Sequence, residues 1–191
     1  MMKNNKDTVD RDTVLIVGST GSLGRPIVEK LLQMHRYKVR LLARSRESLE
    51  RAGYINRYNG MPVSENLEYA VCNDVTDRSQ FLDEWFAGVK CVICVARPRS
   101  LQHDAKYFAP MVNNLCEAVC SNGVPRLLLH GMPYIGESPF NVESPTMKII
   151  QEAETKAREC ININFSSSSP SLLSISRLCE LSEIGHIQES V

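Results

Sequence analysis

The chain has 191 residues, and its 22 lysines and arginines are balanced by 22 aspartates and glutamates. Such a balance leaves no net field to gather nucleic acid or an anionic membrane surface, and no apolar run approaches the roughly 20 residues that span a bilayer. The polar opening MMKNNKDTVDRD lacks the apolar core of a secretory signal, so a cytoplasmic protein is expected, with neither nucleic acid nor membrane as partner.

Residues 13–17, TVLIV, form a short β-branched apolar run ending at Gly18, the pattern of a strand buried on both faces. A glycine-rich turn follows. Beyond it Leu23, Ile27, Leu31 and Met34 keep helical spacing, with Pro26 in the first turn where it is tolerated. YKVRLLAR (37–44) predicts a second strand, and SRESLERAG (45–53) a short helix opened by Ser45 and closed by Gly53. The stretch YINRYNGMPVSE predicts a loop without defined structure, and NLEYAVC (66–72) a third strand. Asp77 with Gln80 resembles a capping box, predicting a helix through Phe81, Leu82 and Trp85.

VKCVICVA (89–96) predicts a fourth buried strand. A long amphipathic helix is expected from Phe108, Met111, Val112, Leu115 and Val119, ending before Gly123, and RLLLH (126–130) gives a fifth strand. Met147, Ile150, Ala153, Ala157 and Cys160 then mark one more helix. Strand and helix thus alternate along the chain, which predicts a parallel sheet with helices on both faces. The expected organisation is a polar tail over 1–11, one α/β domain over 12–165 and a serine-rich, degenerate segment over 166–191.

The seven cysteines, at 72, 91, 94, 116, 120, 160 and 179, are odd in number and lie mostly in apolar segments, unlike a disulfide framework. Cys91 and Cys94 form a CxxC, but residues three apart on a strand face opposite sides, so no metal site is expected there. Cys116 and Cys120 share a helix face, as small core residues do.

Chemistry concentrates in Gly18-Ser19-Thr20-Gly21-Ser22-Leu23-Gly24, a GxxGxxG turn between a strand and a helix. Gly18 permits the tight turn, Gly21 lets backbone approach a pyrophosphate, and Gly24 lets helix and strand pack closely. The helix N-terminus then offers unpaired N–H groups, with the hydroxyls of Ser19, Thr20 and Ser22 as further donors. At the end of the second strand, where an acid favours NAD, stand Ala43 and Arg44. Arg44, with Arg25 just past the third glycine, can pair with an adenosine 2′-phosphate, so NADP(H) is the expected cofactor and NAD the lesser alternative. The competing reading makes both arginines ordinary solvated residues.

The order of VLIVGSTGSLGRPIVEKLL, VRLLAR, Asn73-Asp74-Val75, VICVAR and NNLCEAVCSNGVPRLLLH resembles the NmrA-like, atypical branch of the short-chain dehydrogenase/reductase superfamily over about residues 13–165. The resemblance implies a Rossmann-type doubly wound parallel sheet in a single domain. It implies adenine contact for Asp74 and Val75, a nicotinamide-side lining from Val95, Ala96 and Arg97, and a nicotinamide-ribose contact for Lys148. A turn acid at Asp74, an exposed loop arginine at Arg97 and a surface Lys148 paired with Glu152 are the alternatives.

The family's Tyr-x-x-x-Lys is here Ser144-Pro-Thr-Met-Lys148, without the tyrosine, and His130-Gly131 stands where a serine or threonine is expected. Neither His130 nor Tyr134 is assigned as catalytic. ININFSSSSPSLLS resembles the region of a sixth strand followed by Arg-Pro, with Ser169-Pro170 in its place, so a polar sixth strand and an incomplete substrate part are expected. Three functions follow: an NADP(H)-binding redox sensor or assembly factor without Tyr-Lys catalysis, an NADP(H)-dependent oxidoreductase on a small carbonyl or enone, or a truncated product. A small-molecule substrate or a protein partner would accompany the dinucleotide.

Overall fold

The computed structural model describes residues 11–96 and 105–130, helical positions at 152, 155 and 159, and the strand 172–176. Six parallel strands form one sheet in the order β3-β2-β1-β4-β5-β6, with β1 at Asp12–Val17, β2 at Tyr37–Ala43, β3 at Leu67–Val71, β4 at Val89–Cys94, β5 at Arg126–His130 and β6 at Leu172–Ser176. The apolar run of β1 is buried throughout because it lies mid-sheet between two helical layers. Leu15 and Val17 join the cluster under α3 (Ala105–Ser121), while Val14 and Ile16 join the cluster under α1 (Gly24–Gln33) and α2 (Arg46–Ala52). The chain fills β1, β2 and β3 outward and then crosses to β4 on the other side of β1. This reversal opens a crevice at the carboxyl ends of β1 and β4, where open α/β sheets bind ligands.

Helix α1 is shorter than its sequence pattern predicts. Its buried residues are Gly24 and Val28, with Ile27 and Leu31 half-buried, whereas Met34 is 40% exposed and forms the C-cap. Helix α2 follows expectation. The Ser45 hydroxyl accepts from the Ser48 N–H at 3.3 Å, and Gly53 closes the helix at φ 79°.

Two segments correct the sequence reading. The Asp77–Gln80 capping box and its helix do not form; residues Arg78–Gln80 and Asp83–Trp85 are two short 3₁₀ turns. The Asp77 N–H already donates to the Asp74 carbonyl, and the Gln80 side chain accepts from the Asp74 N–H at 3.1 Å instead of returning to Asp77. Phe81 and Phe86 are both buried, and five positions along an α-helix lie about 140° apart, so one helical face cannot bury both. The stretch after α2 is also ordered, as a tight antiparallel excursion in which Ile55 bridges Pro62. The Asn56 side chain accepts from the Tyr58 N–H and that of Asn59 from the Met61 N–H, with Gly60 at φ 68° between them.

The sixth strand, Leu172–Ser176, comes later in the chain than the ININF stretch that suggested it, and pairs Arg126 with Leu172 through His130 with Ser176. ININF and the apolar positions expected of the last helix lie outside the described residues. Glu152, Thr155 and Glu159 are helical and exposed, spaced as one outer face.

Arg40 fastens the 3₁₀ segment to the sheet. Its Nη1 donates to the carbonyls of Trp85 (2.8 Å), Ala87 (3.1 Å) and Glu84 (3.4 Å), while Nε and Nη2 reach Glu68 Oε2 at 2.9 and 2.8 Å. Lys38 pairs with the other Glu68 oxygen. Partial burial works to raise the Glu68 pKa, but the bonds and charges of Lys38 and Arg40 outweigh it and hold the carboxyl below its ordinary range. Replacing Arg40 with Met is expected to lower stability by about 2 kcal/mol, read as a Tm fall of roughly 4–8 °C. The Glu68 contribution is full above the ordinary glutamate pKa of about 4.3 and vanishes as pH falls through the lower folded-state value. The deficit of Arg40→Met measured by urea unfolding is therefore expected to shrink on acidification.

Candidate functional site

The glycine turn occupies the crevice between β1 and β4. Gly18 has φ 89°, and a Cβ there would stand 2.5 Å from the Ala96 nitrogen. The close approach is fixed by the Val95 N–H, which donates to the Val17 carbonyl at 2.9 Å. Val95 and Ala96 are thereby brought to the elbow of the turn; Arg97 lies outside the described residues. At Gly24 a Cβ would meet the Gly18 oxygen at 2.2 Å and the Ser19 Cα at 2.7 Å, so the third glycine lets α1 start directly against the turn. Gly21 is exposed and meets only the Gly18 oxygen, at 3.3 Å.

Hydrogen bonding sorts the polar groups of the turn. The Gly18 carbonyl accepts from the Gly21 N–H and the Gly21 carbonyl from the Arg25 N–H, each at 3.1 Å. The Ser19 carbonyl accepts from the Tyr54 hydroxyl at 3.1 Å and the Thr20 carbonyl from Arg25 Nε at 3.3 Å. All four carbonyls from 18 to 21 are thus engaged. Among the described residues, the N–H groups of Thr20, Ser22 and Leu23 donate to no protein acceptor. A turn with its acceptors occupied and its donors free is built to receive an anion. Ser22 and Arg25 are exposed, Thr20 and Leu23 half-buried, and Ser19 fully buried with its hydroxyl unpaired.

Two further expected residues gather at the same end of the sheet. Arg44 follows β2 and is exposed, with no hydrogen bond or ion pair to another described residue. Asp74, beyond β3, is exposed and accepts from both the N–H (2.8 Å) and the hydroxyl (2.6 Å) of Thr76. The Thr76 bonds hold its carboxyl below the usual range. Both bonds fall on Oδ1, which leaves Oδ2 to accept from a ligand. Val75 packs against the α3-side core, and its carbonyl accepts from the Asn114 side chain at 3.2 Å. Tyr134 and Lys148 lie outside the described residues, and His130 is buried at the end of β5.

The profile of a family described as NAD(P)H-binding matches residues 18–162, from the first glycine of the turn to beyond the fifth strand. The chain belongs to this NAD(P)H-binding family. No match is found among curated proteins. Similar solved structures include the yeast methylglyoxal/isovaleraldehyde reductase Gre2 complexed with NADPH, at 21% identity and TM-score 0.63, covering 81% of this chain and 54% of that one. A Rossmann-fold NAD(P)-binding family protein from Shigella flexneri gives 17% identity and TM-score 0.56, covering 78% and 62%. The Bordetella bronchiseptica enzyme WbmG in complex with NAD gives 19% and 0.56, covering 90% and 54%. This NAD(P)H-binding chain therefore spans about half to three-fifths of the length of these structures, and the likeness establishes the Rossmann fold.

The family membership agrees with the arrangement of the turn. A shallow cleft of about 490 Å³ at the β3 edge, lined by Arg40, Glu68, Tyr69 and Trp85 among others, shares no residue with the turn. The two cysteines of the CxxC lie on opposite faces of β4. Cys91 belongs to the α1/α2 side of the sheet and Cys94 to the α3 side, where burial pushes its thiol up to about 12. The residue that the sequence reading missed is Tyr54. Its signal was its place directly after Gly53, where a residue that ends a helix in this way turns an apolar side chain back inward.

Proposed function

We propose that this chain binds NADP(H), with the pyrophosphate on the glycine turn, the 2′-phosphate on Arg44 and Arg25, and the adenine beside Asp74 and Val75. The reading rests above all on the turn from Gly18 to Gly24, where the carbonyls of residues 18–21 are engaged and the N–H groups of Thr20, Ser22 and Leu23 have no acceptor among the described residues. We further propose a role as redox sensor or assembly factor, since Ser144 stands where the hydride-transferring relatives implied by the resemblance carry tyrosine. Val95 and Ala96 would flank the nicotinamide side, with Arg97 and Lys148 assigned there by the resemblance alone.

A second reading, an NADP(H)-dependent oxidoreductase, draws on neighbours such as Gre2 and the Citrobacter triphenylmethane reductase complexed with NADP(H). Thermal unfolding with NADPH, NADP⁺ and NADH tests the binding. A ligand at one hundred times its dissociation constant is expected to add about 2.7 kcal/mol, more readily for NADP(H) than for NADH. A cooperative melt indifferent to all three would overturn the proposal. Among ligand-responsive outcomes, NADPH oxidation with a carbonyl or enone supports the oxidoreductase, and binding without turnover supports the sensor.

A further inference from the structure

We propose that Tyr54 is a positioning residue for the phosphate-binding turn: by holding the Ser19 carbonyl inward, it aims the Thr20 N–H outward at the pyrophosphate. The inference rests on the NADP(H)-binding reading. Tyr54 lies beyond α2 and is 6% exposed, and its hydroxyl donates 3.1 Å to a carbonyl of the fully buried Ser19.

The C=O of Ser19 and the N–H of Thr20 belong to one planar trans peptide and therefore point in opposite directions. A hydroxyl that captures the carbonyl on the inner side fixes the N–H on the other side. Without that donor, the buried carbonyl has no partner among the described residues. Its peptide plane then gains by rotating toward solvent, which brings a carbonyl dipole toward the phosphates and withdraws an N–H from them.

Tyr54 is itself rigidly placed. Its N–H donates to the Leu49 carbonyl and that of Gly53 to the Glu50 carbonyl, the paired bonds that end a helix at a left-handed glycine. The Tyr54 carbonyl accepts from the Val63 N–H, which ties it into the 55–62 excursion. Burial raises the phenol pKa, against the opposing effect of Arg25, so the hydroxyl remains a donor at neutral and mildly alkaline pH. The segment that follows α2 is in this way mechanically joined to the turn that follows β1.

The test is calorimetric titration of wild-type protein and Tyr54→Phe with NADP⁺ and with adenosine 2′-monophosphate, which carries the 2′-phosphate but no pyrophosphate. Tyr54→Phe is expected to bind NADP⁺ about tenfold more weakly and the monophosphate as wild type does. Arg40→Met, which destabilises the protein away from the turn, is the control and is expected to bind both ligands normally. Unchanged NADP⁺ affinity in Tyr54→Phe overturns the inference, as does a parallel loss of both ligands, which would make Tyr54 a general scaffold. Wild-type protein that binds neither ligand overturns the underlying cofactor reading instead.

Discussion

Gly24→Ala is expected to lower stability by about 1–2 kcal/mol and to weaken dinucleotide binding sharply, although alanine is the better helix former. The intrinsic preference favours the substitution by about 1 kcal/mol. Against it stands a methyl group 2.2 Å from the Gly18 oxygen and 2.7 Å from the Ser19 Cα, both backbone atoms with no rotamer to yield. Such overpacking typically costs 1–3 kcal/mol and can cost more, and it is relieved only by shifting α1 away from β1. That shift moves the N-terminus of α1 and the N–H groups beside it, so affinity falls along with stability. Gly21→Ala separates the two effects. Its methyl meets only the Gly18 oxygen, at 3.3 Å, and points from an exposed position, so stability should change by less than about 1 kcal/mol. Binding should still weaken, because the new side chain lies where, on the proposed reading, phosphate approaches backbone. Thermal melts paired with NADP⁺ titrations check both. A Gly24→Ala protein as stable as wild type would mean that α1 does not abut the turn.

Much of this arrangement was legible in the sequence because it depends on local rules. From Thr13 to Val17 β1 is buried on both faces and reads as a continuous apolar run, β4 buries Val92 and Cys94 with Cys91 and Ile93 half-buried on its other face, and α2 carries its own start and stop in Ser45 and Gly53. The three glycines were legible because only glycine tolerates the contacts at 18 and 24. What failed depended on competition between partners. Gln80 had two N–H groups within reach and took that of Asp74, which no spacing rule reveals. The stretch YINRYNGMPVSE carries no periodic pattern because its order comes from two asparagine side chains and one glycine. β6 was misplaced for a related reason. The apolar residues of LLSIS lie beyond Ser169-Pro170, where the resemblance implied that the strand had already ended, and its register is set by backbone pairing to Arg126–His130.

If Arg44 holds the 2′-phosphate as proposed, Arg44→Glu is expected to cut NADP⁺ affinity by roughly a hundredfold while leaving NAD⁺ affinity intact or improved. Arg44 leaves β2 at the carboxyl end of the sheet, and among the described residues no acid pairs with it. Its guanidinium is therefore uncommitted and suited to a planar, charge-assisted contact with phosphate. Hydrogen bonds to charged groups contribute about 1.5–3 kcal/mol, equivalent to tenfold to more than a hundredfold; charge reversal adds repulsion from a phosphate bearing nearly two negative charges. A carboxylate at the same place accepts from ribose hydroxyls, which is the NAD arrangement. On the same proposal Arg25 is expected to contribute less, because its Nε is already given to the Thr20 carbonyl, and Arg25→Ala should weaken both cofactors through that lost bond as well as through charge. The quantity to measure is the ratio of NADP⁺ to NAD⁺ dissociation constants in each variant at fixed salt, since exposed charges are screened. A ratio that collapses in Arg44→Glu but changes little in Arg25→Ala assigns discrimination to the end of β2. An unchanged ratio in Arg44→Glu would mean that this arginine is solvated surface and that the chain does not select its cofactor there.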